Sequence, residues 1–144
     1  AIREGGIRVP GLMVWPALVK EPRTITAPCV TSGYFPTILD ALGLPLPPDR
    51  VYDGISLLPL IRGERDTRGK PIGFLNKGGN EAVWMEDRYK LVVTRKKTSL
   101  YDIPADAAEK QDLSDTLPEV KARMQAGLES WKSGVMEALK HVPR

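Results

Sequence analysis

Cysteine and histidine are nearly missing from this chain: its 144 residues hold one of each. A single thiol, Cys29, excludes an internal disulfide and a cysteine-based zinc site, which needs several thiolates at fixed spacing. The one histidine, His141, stands close to the end of the sequence, where chains fray, and is a poor base for a distant thiol. Cys29 therefore reads as a small buried residue rather than a nucleophile. No apolar run approaches the roughly 18 residues of a membrane span, so no membrane partner is expected. Charge of one sign is scarce as well, with a formal net charge of only +3. Arg95-Lys96-Lys97 is the one tight basic cluster and reads as a solvated hairpin turn. Nucleic-acid faces are broader, so no nucleic-acid partner is expected.

What is present suits an ordinary globular chain. The sequence is 42% hydrophobic and 27% charged, enough to bury one modest core. The opening Ala1-Ile2-Arg3-Glu4-Gly5-Gly6 is neither a methionine start nor a signal peptide, and reads as a cut inside a longer protein. Leu12-Met13-Val14-Trp15, closed by Pro16, reads as a buried strand, and Thr24 to Val30 as a second extended piece. Thr31-Ser32 offers an N-cap for a helix carrying Tyr34, Phe35, Ile38, Leu39 and Leu42 as its apolar stripe. Gly43 stands where a left-handed C-cap belongs. Pro45 to Asp53 is a stiff loop, and Ser56 to Ile61 a short helical turn ended by Gly63.

The periodicity then changes. Ile72 to Phe74, Ala82 to Met85, Tyr89 to Thr94 and Ser99 to Asp102 are short strands joined by short turns, which dictates an antiparallel meander. Thr116-Leu117-Pro118-Glu119 has the form of a capping box. Leu117, Val120, Met124, Leu128, Trp131, Val135 and Leu139 then mark one apolar stripe on a helix of roughly 20 residues. The predicted fold class is α+β: a small antiparallel four-stranded sheet packed against a long C-terminal helix, preceded by strand and helix pieces of a truncated α/β domain. Residues 1–62 form that tail and 63–144 the C-terminal subdomain. Trp84, Trp131, Tyr89 and Tyr101 are expected to fill the sheet–helix core rather than to stack on ligands.

Several segments, in this order, resemble the sulfatases, the arylsulfatase-like members of the alkaline-phosphatase superfamily. They are Glu4-Gly5-Gly6-Ile7-Arg8-Val9-Pro10 with the stretch Leu12 to Pro16; Ser32 to Gly43, where the family often has Asp in place of Gly33; Asp53-Gly54-Ile55-Ser56-Leu57-Leu58-Pro59-Leu60; Tyr89-Lys90-Leu91; Leu100-Tyr101-Asp102-Ile103; and Asp112-Leu113. The resemblance spans residues 4 to 139 and implies sulfate ester hydrolysis in the full-length enzyme. It implies a formylglycine made in a Cys/Ser-x-Pro-x-Arg motif and a divalent cation, usually calcium. Cys29 is followed by Val30-Thr31-Ser32 and does not match that motif. The catalytic lysine and histidines of the family lie upstream. No catalytic residue, no metal ligand and no cofactor is therefore assigned to this chain, which is expected to be inactive alone.

Four residues are candidates for substrate binding. The amides and ammonium of Asn76, Lys77 and Asn80, in a Gly-rich loop, suit an anionic or sugar-like group; the same loop also reads as a plain flexible hairpin connection. Arg8 has two readings, one beside a sulfate pocket and one as the partner of Glu4 pinning a Gly-Gly turn. The expected partners are the N-terminal catalytic domain of the same parent chain and a sulfated small molecule or sugar. Exposure of Tyr34, Phe35 and Leu12 to Trp15 predicts self-association of the piece, a homo-oligomer. Two rival readings stay open: a parent that is a related phosphodiesterase or phosphonate hydrolase, and a stand-alone binding module with no catalysis.

Overall fold

The computed structural model describes residues 2–140; His141 lies outside the described residues. The chain divides into two compact units, Ala1–Val9 with Pro71–Arg144, and Pro10–Lys70.

The first unit is built on the meander. Strands β1 (Ile72–Leu75), β2 (Ala82–Met85), β3 (Tyr89–Val93) and β4 (Thr98–Asp102) lie in the order β1-β2-β3-β4, all neighbours antiparallel. In one rung Ile72 faces Met85, Met85 faces Lys90 and Lys90 faces Tyr101; the far rung runs Leu75, Ala82, Val93, Thr98. Alternation sends Ala82, Leu91 and Leu100 to one face, where Met124 and Leu128 of a long C-terminal helix complete the core with Trp84, Tyr89, Val120 and Trp131 packed around them. That helix runs from Pro118 to Lys140. Its expected stripe is core-facing through Trp131, but Leu139 is exposed because the helix outruns the sheet. Gly73 makes room for it: a Cβ there would come within 2.6 Å of the Trp131 ring. Trp84 and Trp131 meet at 6.1 Å, tilted by 48°, so both fill the core as expected.

The other face of the sheet is also covered. Val83, Val92 and Tyr101 are buried beneath Ile2, Ile7, Phe74, Met85 and Ile103. Tyr101 is thus buried on the face away from the long helix, not in the sheet–helix core, because it is adjacent in sequence to Leu100 and points the opposite way. Besides Ile2 and Ile103, that cover comes from the single helical turn α1, Glu4–Ile7, so Gly5-Gly6 is helical rather than a tight turn.

In the second unit, α2 (Tyr34–Ala41) follows a 3-10 turn at Thr31–Gly33 whose start has no side-chain cap. The hydroxyl that matters is instead Thr37, which donates to the Gly33 carbonyl at 2.6 Å and accepts from Leu57 N–H at 2.8 Å. Gly43 has φ +67° and closes α2 as expected. Helix α3 (Leu58–Arg62) ends on Gly63 at φ +76°; the long helix of the first unit is hereafter α4. Leu57, Leu60 and Ile61 form a small core with Leu18, Val19 and Ala27. The two expected strands, Leu12 to Trp15 and Thr24 to Val30, do not form. A strand needs a neighbour to take its backbone hydrogen bonds, and the described residues contain no strand outside the meander. Leu12 is 94% exposed and Val14 79%, and Tyr34, Phe35, Ile38 and Leu42 also face outward. Cys29 is exposed rather than buried, since it lies in this same irregular stretch.

Asp112 ties the segment after β4 back to the sheet. Its Oδ1 accepts from Leu100 N–H at 3.1 Å and Ser114 N–H at 3.0 Å, and Lys97 Nζ lies 3.3 Å from Oδ2. Burial works to raise its pKa, but these backbone donors and the hydroxyls of Ser99 and Ser114 prevail and hold the carboxyl well below the usual carboxylate range. A folded-state pKa below the unfolded value contributes stability above the unfolded pKa, and that stability is lost as pH falls through about 4 toward the folded value. We expect Asp112→Ala to cost about 1–2 kcal/mol at pH 7, with the difference from wild type shrinking below about pH 4. Urea unfolding at several pH values measures this; a pH-independent difference would refute the assignment.

Candidate functional site

Two places concentrate polar chemistry, and they stand at opposite ends of the strand ladder. The first is the β1–β2 loop. Asn76 Nδ2 donates to Asn80 Oδ1 at 2.7 Å, and Asn76 Oδ1 accepts from the backbone N–H of Asn80 at 3.0 Å and of Glu81 at 3.2 Å. Gly79, at φ +69°, lets the chain turn back. Both asparagines are thus spent on shaping the loop, and Lys77 is the exposed cation at its tip.

The second place is a buried charge cluster that sequence reasoning missed. Lys90, in β3, is 0% exposed. Its Nζ lies 2.7 Å from Glu4 Oε1 and 2.8 Å from Glu109 Oε1. Glu4 Oε2 is 3.8 Å from Arg8 Nη1, and Glu109 Oε2 is 3.7 Å from Arg3 Nη1. Arg3 Nη1 also donates to the Tyr101 hydroxyl at 2.7 Å while its guanidinium lies 5.1 Å from the ring centroid. That hydrogen bond, against the opposing effect of burial, raises the Arg3 pKa further. A cavity of about 340 Å³ opens beside Arg3, Glu4, Gly5, Ala107, Ala108 and Glu109. The signal in the sequence was a lone lysine at an inward position of an apolar strand, between Tyr89 and Leu91. A buried lysine needs charged partners, but nothing local says which.

Of the candidate binding residues, Asn76, Lys77 and Asn80 lie together at the Leu75–Ala82 end of the ladder. Arg8 is drawn to Glu4, whose carboxylate meets Lys90 in the rung at the other end, roughly 10 Å along the strand. Arg8 therefore pairs with Glu4, as one of its two readings had it, and the structure does not bring it to the loop. Cys29 has its thiol 3.5 Å from the Ala27 carbonyl. Partial desolvation raises its pKa, against the pull of Arg68, the opposite of the shift that activates a thiol nucleophile. Among the described residues no three His, Cys, Asp or Glu side chains converge as a metal site would require.

No family model matches the chain. Curated relatives do. Human steryl-sulfatase is 44% identical over 61 residues, 42% of this chain and 10% of the relative. Human arylsulfatase D is 47% identical over 60 residues, again 42% and 10%. Rat arylsulfatase G is 36% identical over 75 residues, 52% and 14%. The fold recurs in solved structures. One, from a study of glycosaminoglycan metabolism by Bacteroides thetaiotaomicron, aligns at TM-score 0.60 with 23% identity, over 70% of this chain and 24% of that one. A 2-O GAG sulfatase aligns at TM-score 0.53 with 20% identity, over 76% and 26%.

The structural likenesses carry the fold, an α+β unit of a four-stranded antiparallel sheet and a long helix. The sequence identities carry the likeness: over 60 to 61 residues the chain is similar to steryl-sulfatase and arylsulfatase D, which supports a C-terminal sulfatase region. It spans about a tenth of the length of the steryl-sulfatase and arylsulfatase D that it matches.

Proposed function

We propose that this chain supplies scaffold and pocket wall to a sulfate ester hydrolase whose nucleophile and cation are held by another stretch of the same parent. The reading is carried by the 44% identity with steryl-sulfatase over 61 residues. Formylglycine and calcium belong, in this reading, to that other stretch, and the 144-residue chain is inactive alone. The substrate class is a sulfate ester of a small molecule or sugar. Support comes from the relatives' names and from a fold neighbour solved with its substrate D-glucosamine-2-N,6-O-disulfate. We expect no sulfate release above background when the purified chain is incubated with an aryl sulfate and calcium; steady turnover would overturn the proposal.

Within the site, Lys77 is the group of the β1–β2 loop left to meet an anionic substrate, with Asn76 and Asn80 holding the loop in shape and Arg8 bracing Glu4. In the full-length parent, Lys77→Ala is expected to raise KM roughly tenfold, the size of one hydrogen bond to a charged group, with kcat and metal content unchanged. Kinetics identical to wild type would remove the loop from the pocket.

The outward apolar residues of the second unit, Leu12, Val14, Tyr34, Phe35, Ile38 and Leu42, are read as the face that the N-terminal catalytic part of the parent covers. Without that cover the isolated chain is expected to self-associate. Sedimentation velocity at rising concentration tests this: larger species that vanish in an Ile38→Ser/Leu42→Ser variant are expected, and a monomer throughout would count against the assigned face.

A further inference from the structure

The charge cluster around Lys90 is not used by the proposed reaction, yet it is the most deeply buried polar feature of the described chain. Helix α1 is one turn long and has no stability of its own. It is held from outside. Ile2 and Ile7 rest on Val83, Val92 and Tyr101. Glu4 Oε1 reaches Lys90 Nζ at 2.7 Å, and Glu4 N–H donates to Glu109 Oε2 at 3.3 Å. Glu109 adopts φ +53°, a left-handed backbone that a non-glycine residue takes at a cost. That conformation accompanies a carboxylate delivered to the same lysine. Three stretches distant in sequence, residues 3–8, strand β3 and the segment ending at Glu109, therefore meet at one ammonium.

We propose that Lys90 is a positioning residue: through Glu4 and Glu109 it anchors residues 3–8 to the sheet, so that parent chain preceding Arg3 departs from a fixed point. A hydrophobic residue at position 90 would fill the space but leave two buried carboxylates with only the more distant Arg3 and Arg8 as cations. The consequence for catalysis rests on the function proposed above; the anchoring itself does not.

Amide hydrogen exchange on the 144-residue chain tests the anchor. The N–H groups of Gly6 and Ile7 bond the Arg3 carbonyl and that of Arg8 the Glu4 carbonyl, so they report opening of α1. In Lys90→Met these amides are expected to exchange about a hundredfold faster, as loss of one partner from a buried ion cluster implies, while the strand amides of Leu91 and Leu100 change little. Unchanged exchange at residues 6–8, or equal acceleration in the strands, would overturn the anchor. Should Lys90→Met fail to fold, Glu4→Gln gives the same comparison without touching the sheet, with about tenfold acceleration expected and none overturning the idea. In the full-length parent, Glu4→Gln is expected to lower kcat about a hundredfold with KM little moved, the signature of misplaced rather than missing groups; unaltered kcat would reject the positioning role. A wild-type, formylglycine-bearing parent with no sulfatase activity would refute the function and leave the exchange result to decide the anchor.

Discussion

An ammonium group sealed beneath a sheet sets terms for everything around it. Lys90 has no access to water, and its charge is tolerable only because Glu4 and Glu109 are both within 2.8 Å. Removing one member of such a cluster costs about 3–5 kcal/mol, although replacing all of it with apolar side chains is often neutral. The arrangement is therefore better understood as specifying position than as adding stability. Residues 3–8 lie against the sheet beside it, and Glu109 holds a left-handed backbone. Arg3 and Arg8 then balance the outer carboxylate oxygens.

That constraint explains why the small sheet is buried on both faces. One face is closed by α4 through Met124, Leu128 and Trp131, as an amphipathic helix closes any half-polar meander. The other is closed by Ile2 and by Ile7 of α1, a helix too short to persist without Lys90 beneath it. The sheet unit is thus assembled from the two ends of the described chain, while residues 10–70 build a separate small core around Leu57, Leu60 and Ile61.

The second unit shows the opposite balance. Its internal order comes from a few polar clasps, such as Thr37 between Gly33 and Leu57, and Arg23 donating to the Leu60 carbonyl at 2.8 Å. Its apolar surface is left outward. An amphipathic stripe that faces solvent is a face awaiting a partner. The match to steryl-sulfatase covers about a tenth of that protein's length.

Local pattern by itself determined the meander, its turns, the α2 cap at Gly43 and the core stripe of α4, because strand alternation and helical periodicity are written within short windows. It also pointed to the sulfatases through motifs short enough to read along the chain. The extended pieces at residues 12–15 and 24–30 were not decided there, since apolar runs become strands only beside a pairing neighbour. Nor was the partner of Lys90. Glu4 lies 86 residues away and Glu109 beyond the next strand, and only the folded sheet brings those carboxylates to one charge. Tertiary structure likewise parted Arg8 from the Asn76–Asn80 loop, because position along a strand ladder is a property of register and not of residue type.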